Sequence, residues 1–165
     1  MTAQIAERLR YQGEEMALCA NPLDDYFDLG GEKPPFVASS TALWRGYVGS
    51  WEIVDGRLYL VGLEGLLEDG SEATLASVFP GFPDRVFAHW YSGILRVPQG
   101  RQLLYVHAGY NSRYERDLLL EVERGVVTAT RTRHNGTAIS EDAQEGYAIG
   151  AMTTLPGGSA GGARK

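Results

Sequence analysis

The sequence predicts a mainly β fold: an antiparallel meander of hairpins closing into a barrel or a strongly curved sheet, with one short helix near the N-terminus. Three observations carry this. Residues 43–65 hold two runs rich in aromatic and branched side chains around Asp55-Gly56, the pair that best tolerates the positive φ angles of a two-residue type I′ turn. Residues 86–97 and 101–109 flank Pro98-Gln99-Gly100 and read as a second hairpin. Residues 116–122 and 126–132 flank Glu123-Arg124-Gly125 and read as a third.

Taken in order, residues 9–18 centre on Gly13 and fit two short strands around a turn. Over 21–30, Asn21 can cap a helix of one to two turns, Pro22 suits its first position and Gly30 can stop it. Asp24 and Asp25 complement the positive helix end, which explains them without a metal. In the first hairpin a two-residue loop sets Val54 opposite Arg57, Gly49 opposite Gly62 and Gly46 opposite Gly65. Glycine pairs facing across a ladder pack nothing, so a sharp bend or the close approach of another backbone or a ligand is expected there.

Residues 66–72 turn at Asp69-Gly70, 73–79 read as a short strand, and Pro80-Gly81-Phe82-Pro83 breaks the chain. A three-residue loop in the second hairpin pairs Val97 with Arg101, Tyr91 with His107 and His89 with Gly109. The last strand alternates Thr128, Thr130 and Thr132 with Val127, Ala129, Arg131 and Arg133, the pattern of an exposed or edge strand protected by arginine. Residues 140–144 can form a helical turn, and 155–165 are rich in glycine. The organisation expected is one β-rich domain over 1–150 and a flexible Gly-rich tail over 151–165.

Composition narrows the partners. A chain of 165 residues, 44% of them hydrophobic, can bury a core, which argues against global disorder. Fifteen basic against 21 acidic residues give a net charge of −6, which repels a phosphate backbone, so no nucleic-acid partner is expected. Arginine, which predominates among the bases, suits bidentate carboxylate or phosphate contacts. Cys19 stands alone, excluding an intrachain disulfide or a cysteine-based zinc site and fitting a reducing compartment. With no apolar run long enough to cross a bilayer and no apolar signal core, no membrane partner is expected and the location expected is cytoplasmic.

Two constellations carry chemistry. In the expected register His89 and Tyr91 share a face with His107, the arrangement of a ligand site, of an acid/base histidine beside an orienting tyrosine, or of a metal pair completed by Glu115 or Asp117. The same residues also fit a half-buried sheet with hydrogen-bonded ring nitrogens. The second is the loop carrying Tyr105, Tyr110, Asn111, Ser112, Arg113, Tyr114 and Glu115, a mixture of rigid aromatic area and adaptable polar groups typical of recognition surfaces. Nucleophilic catalysis has little support: Cys19 lies in an apolar run, and no Gly-x-Ser-x-Gly elbow, Walker loop or dinucleotide fingerprint occurs.

Gly49-Ser50-Trp51 resembles the short Gly-x-Trp signature of lipocalin first strands, which would imply a ligand-holding barrel, although lipocalins carry it nearer the start of the barrel. A broader resemblance runs through Leu9-Arg10-Tyr11-Gln12-Gly13, Asn21-Pro22-Leu23, Leu43-Trp44-Arg45-Gly46-Tyr47-Val48, Leu95-Arg96-Val97-Pro98-Gln99-Gly100 and Tyr114-Glu115-Arg116-Asp117-Leu118. These segments look like a family of small bacterial β-rich proteins with no activity to transfer. It implies a single bacterial domain and names no site.

The function expected is a non-enzymatic binding module, an accessory or immunity-type protein that recognises a macromolecular partner or a small ligand. Its binding residues are Trp44, Arg45, His89, Tyr91, His107, Tyr110, Arg113, Tyr114 and Glu115, with no cofactor, no metal and no catalytic residue. The alternative is a small, metal-assisted enzyme using His89 and His107 with Glu115.

Overall fold

A computed structural model describes residues 3–136. Its elements are β1 (Glu7–Tyr11), β2 (Glu14–Leu18), α1 (Pro22–Asp28), β3 (Tyr47–Val54), β4 (Arg57–Gly65), α2 (Leu75–Val78), β5 (Val86–Phe87), β6 (Gly93–Leu104), β7 (Arg113–Glu123) and β8 (Val126–His134). Three two-residue turns organise them. Gln12-Gly13, Asp55-Gly56 and Arg124-Gly125 place both residues at positive φ, 53° and 81°, 52° and 75°, and 49° and 84°. This type I′ geometry matches the twist of the strands it joins, closing β1 on β2, β3 on β4 and β7 on β8.

The eight strands form one mixed sheet in the order β2-β1-β3-β4-β8-β7-β6, with β5 added to β4. The expected all-antiparallel meander is corrected at β1 and β3, which run parallel because α1 and a long loop carry the chain from β2 past β1 before β3 begins. The expected barrel is not formed, since the sheet does not close. β4 meets β8 in register only at Arg57 and Val126, so the sheet has two halves hinged at that pair. Near its open ends Cys19 N–H donates to the Arg96 carbonyl at 2.8 Å. The halves share one core, with Leu9, Trp51 and Leu60 from one side and Leu95, Val97 and Leu120 from the other all buried. α1 closes one end: Leu23 is buried, and Tyr26 and Phe27 meet Phe79, Trp90, Phe36 and Tyr47.

The first hairpin begins in the expected register, Val54 opposite Arg57, and then slips. A bulge between Ser50 and Trp51 sets Ser50 opposite Gly62, Gly49 opposite Leu63 and Tyr47 opposite Gly65, so the expected glycine pairs do not face each other. The second hairpin does not form. Pro98-Gln99-Gly100 lies inside β6, which runs through it as bulges and pairs with β7, Val97 opposite Leu118 and Pro98 opposite Asp117. Where the ladder is interrupted, the Glu115 carboxylate accepts the Arg101 N–H at 2.9 Å. Residues 73–79, expected as a strand, instead contain α2, started by a capping box of Thr74 and Ser77.

Other expectations hold. The strands around Gly13, the helix opened by Pro22, the turn at Asp69-Gly70 and the third hairpin are present, and β8 is exposed along nearly its whole length. Residues 140–144 and the 151–165 tail lie outside the described residues. Among the described residues no helix is long and apolar enough to cross a membrane.

Candidate functional site

Alternation along β1 puts Glu7 on the buried face with Leu9. Its carboxylate is enclosed by donors. Oε2 accepts from Gly49 N–H at 2.8 Å and from Arg45 Nη2 and Nε at 2.7 and 3.1 Å, and Oε1 accepts from the Trp51 indole at 2.9 Å. Burial pushes the carboxyl above the ordinary carboxylate range, opposed by Arg45, Trp51 and Gly49. The Gly-x-Trp motif therefore grips a carboxylate in an open sheet.

Arg45 is spent unevenly. Its side chain is 6% exposed, and Nη2 also donates to the Ile5 carbonyl at 2.8 Å. Nη1 is buried without a hydrogen-bond partner among the described residues, a state that costs about 1–3 kcal/mol for a buried donor. The guanidinium lies 5.5 Å from the Tyr47 ring centroid, and the Tyr47 hydroxyl donates to Asp24. Beside Arg45 opens a cleft of about 270 Å³ lined by Gln4, Asn21, Trp44, Arg45 and Gly109. Gln4 fixes Trp44 by accepting its backbone N–H at 2.9 Å, leaving the indole 64% exposed. Tyr110 holds its loop against this cleft: its hydroxyl donates to Asn21 Oδ1 at 2.6 Å, with the Ile5 carbonyl 3.3 Å away. Asn21 thus serves Tyr110 and makes no side-chain cap to α1.

On the other side of Tyr110 lies a second cleft of about 450 Å³, lined by Arg96, Tyr110, Asn111, Ser112, Arg113, Asp117, Arg133 and Asn135. Its centre is Asp117, 1% exposed, paired across the ladder with Arg133. The carboxylate accepts from Arg96 Nε at 2.9 Å, Arg133 Nη2 and Nε at 2.5 and 3.2 Å, and Asn135 Nδ2 at 3.0 Å. Burial alone would raise its pKa, but hydrogen bonds from Arg133, Asn135 and Arg96 outweigh it and hold the carboxyl below the usual range. Arg96 also ties down the 105–112 loop through the carbonyls of Tyr110 and Ser112, at 2.6 and 2.8 Å. Arg96 and the 57% exposed Arg133 share Asp117, and the exposed Arg113 lines the same cleft, so three guanidiniums stand beside one carboxylate there.

Of the residues singled out in the sequence, Trp44, Arg45 and Tyr110 come together around the smaller cleft, and Arg113 lines the larger one. Tyr114 and Glu115 are β7 residues that support β6 and the end of β8: the Tyr114 carbonyl accepts from Asn135 Nδ2 at 2.9 Å, and Glu115 caps the β6 bulge. The histidines lose the shared face that the second hairpin would have given them. His89 is exposed in a turn after β5, edge-on to Trp90, and His107 lies in the 105–112 loop, edge-on to Tyr105. Tyr91 is a core residue, its hydroxyl 3.3 Å from the Ile94 carbonyl, and burial raises its pKa to about 12. Among the described residues no three His, Cys, Asp or Glu side chains gather as a metal would require.

Sequence reasoning missed Glu7, Arg96, Arg133 and Asn135 as site residues, and weighed Asp117 only as a further metal ligand beside the histidines. A signal existed for Glu7, an acid alternating with the core residue Leu9; an acid on a core face needs a cation or donors around it. Comparison with protein-family models, curated proteins and solved structures gives no match.

Proposed function

We propose that the protein is a non-enzymatic binding module that docks an acidic segment of a protein partner on the face formed by the arginine cleft, the 105–112 loop and Trp44. The observation that carries this is the Asp117 lattice. One buried carboxylate holds Arg96 and Arg133 in place, Arg113 adds a third guanidinium, and the resulting positive cleft stands on a chain of net charge −6. Fixed guanidiniums bind carboxylates with little ordering cost, and charge of this sign against an acidic background selects and orients a partner more than it adds affinity. The exposed Trp44 indole next to it supplies the rigid aromatic area that anchors interfaces. Nothing in the placement of His89 and His107 supports a catalytic pair.

The test is titration of the full chain with fluorescently labelled hexaglutamate, with hexalysine as the control. Binding of hexaglutamate alone, weakened by added salt and by about tenfold in Arg113→Ala, is expected, a change of about 1.4 kcal/mol. Arg113 is exposed, so its removal leaves the fold intact. Equal binding of both peptides, or hexaglutamate binding indifferent to Arg113, overturns the reading.

A further inference from the structure

β8 carries a sheet edge that the fold leaves open. β4 meets it in register only at Arg57 and Val126, and the last backbone bond on that side runs from Val127 N–H to the Gly56 carbonyl at 2.8 Å. From there β8 continues past the Asp55-Gly56 turn, and among the described residues no strand flanks 128–134 on that side. Each of these residues is exposed. The groups that face outward follow from the ladder. Asn135 N–H donates inward to the Glu115 carbonyl at 2.8 Å, and residues 129–134 pair with β7 without a register shift, so alternation turns the N–H and C=O of Thr130, Thr132 and His134 away from β7. The two faces at this edge differ in chemistry. Arg131 and Arg133 share one, both with side chains 57% exposed, Arg131 only 3.7 Å from Glu121 and Arg133 held by Asp117. Thr130 lies on the other and lines a cavity of about 360 Å³. Tyr11, Met16 and Leu118, which line the same cavity, also pack against the core.

We propose that the open edge of β8 is a strand-addition site for an extended segment of a partner protein in which acidic residues alternate with branched apolar ones. The backbone of the segment pairs with Thr130, Thr132 and His134, which supplies affinity, and its alternating side chains supply specificity. Its acids lie beside Arg131 and Arg133, one strand spacing of roughly 4.8 Å away, while Asp117 and Glu121 stand a strand further off on β7. Its apolar side chains fall on the Thr130 face, where Glu14, exposed and lining the same cavity, disfavours an acid. Arginine on an edge guards against chance pairing, and here the guard is selective. Antiparallel pairing with a second copy centred on residues 131–133 sets arginine opposite arginine, which is destabilising, whereas acids in the same positions are attracted. The site shares Arg133 with the arginine cleft but depends on the backbone edge of β8, which the cleft does not use, so each can fail without the other.

The test titrates the 15N-labelled full chain with a capped hexapeptide of alternating glutamate and valine, and separately with a capped hexapeptide of the same composition and charge in which the glutamates precede the valines. The alternating peptide is expected to slow hydrogen exchange saturably at the Thr130, Thr132 and His134 amides, and the blocked peptide to bind about tenfold more weakly or worse. Thr132→Pro removes an N–H that β7 does not use, a placement that edge strands tolerate. It should weaken the alternating peptide by about tenfold or more and leave hexaglutamate binding as in the parent chain. Arg131→Glu, at an exposed position, should weaken the alternating peptide to a similar extent with thermal unfolding unchanged. Equal binding of the two peptides, protection confined to other amides, indifference to both substitutions, or a chain that is already a dimer with this edge protected before peptide is added overturns the proposal.

Discussion

Gly49 donates its backbone N–H to the Glu7 carboxylate at 2.8 Å, and the missing side chain at Gly49 is what allows the carboxylate to lie there. A Cβ on Gly49 would stand 2.5 Å from Glu7 Oε1 and 2.8 Å from the Trp51 indole nitrogen. Gly49→Ala is therefore expected to destabilise the fold by about 2 kcal/mol through overpacking of a rigid, hydrogen-bonded site, read as a fall in the urea midpoint. Gly56, whose added Cβ meets nothing within 4 Å, separates crowding from backbone conformation: Gly56→Asn, a residue that tolerates its φ of +75°, should cost little.

Removing the charge at Glu7 should be costly for a different reason. In Glu7→Gln the amide NH2 faces Arg45, Gly49 N–H or the Trp51 indole, all donors, and Arg45 becomes an uncompensated buried cation. A loss of about 3 kcal/mol or more is expected from breaking a buried pair. Equilibrium denaturation of Glu7→Gln beside Arg45→Met and the double variant checks it: the double variant should be less destabilised than the sum of the singles.

These two residues also show how far the sequence could be read. Asp55-Gly56 and the runs beside it declared the first hairpin, because a type I′ turn depends on two adjacent residues and nothing else. The slip between Ser50 and Trp51 was not declared, because the residue bonded on both sides of it is Glu7, a side chain from β1 that reaches Gly49 and Trp51. Pro98-Gln99-Gly100 misled for the same reason: its partners lie on β7, where Pro98 faces Asp117 and Glu115 accepts the Arg101 N–H, a strand that no local pattern joins to it. Trp44, Arg45, Tyr110 and Arg113 could be singled out by residue type alone. The lattice around Asp117 required the β7–β8 and β6–β7 registers, which themselves contain bulges.

Asp117 gives a pH signature. Its pKa in the folded chain lies below the ordinary 3.8, so the folded state holds its negative charge more readily than the unfolded chain. The stability it contributes is present above pH 3.8 and is lost as pH falls from there through the lower folded value. Asp117→Asn should cost about 2 kcal/mol at neutral pH, less than a fully buried pair because Arg133 is half exposed. It should also flatten the fall in stability below pH 3.8, measured by urea unfolding across that range.

Trp44 should behave in the opposite way from Trp51. Trp44 is 64% exposed and Trp51 is 1% exposed, so Trp44→Ala is expected to change stability by less than about 0.5 kcal/mol and Trp51→Ala to cost about 4 kcal/mol. Thermal unfolding of the two variants side by side checks the assignment of Trp44 to a surface and Trp51 to the core.

The docking face itself is tested most directly by mapping amide chemical shifts of the 15N-labelled full chain during titration with unlabelled hexaglutamate. The account predicts that the largest shifts fall on residues 109–113, Arg133 and Asn135 and reach Trp44, while the turn carrying His89 stays still. Shifts concentrated at residues 85–92, spread evenly over the chain, or absent at saturating peptide would contradict it.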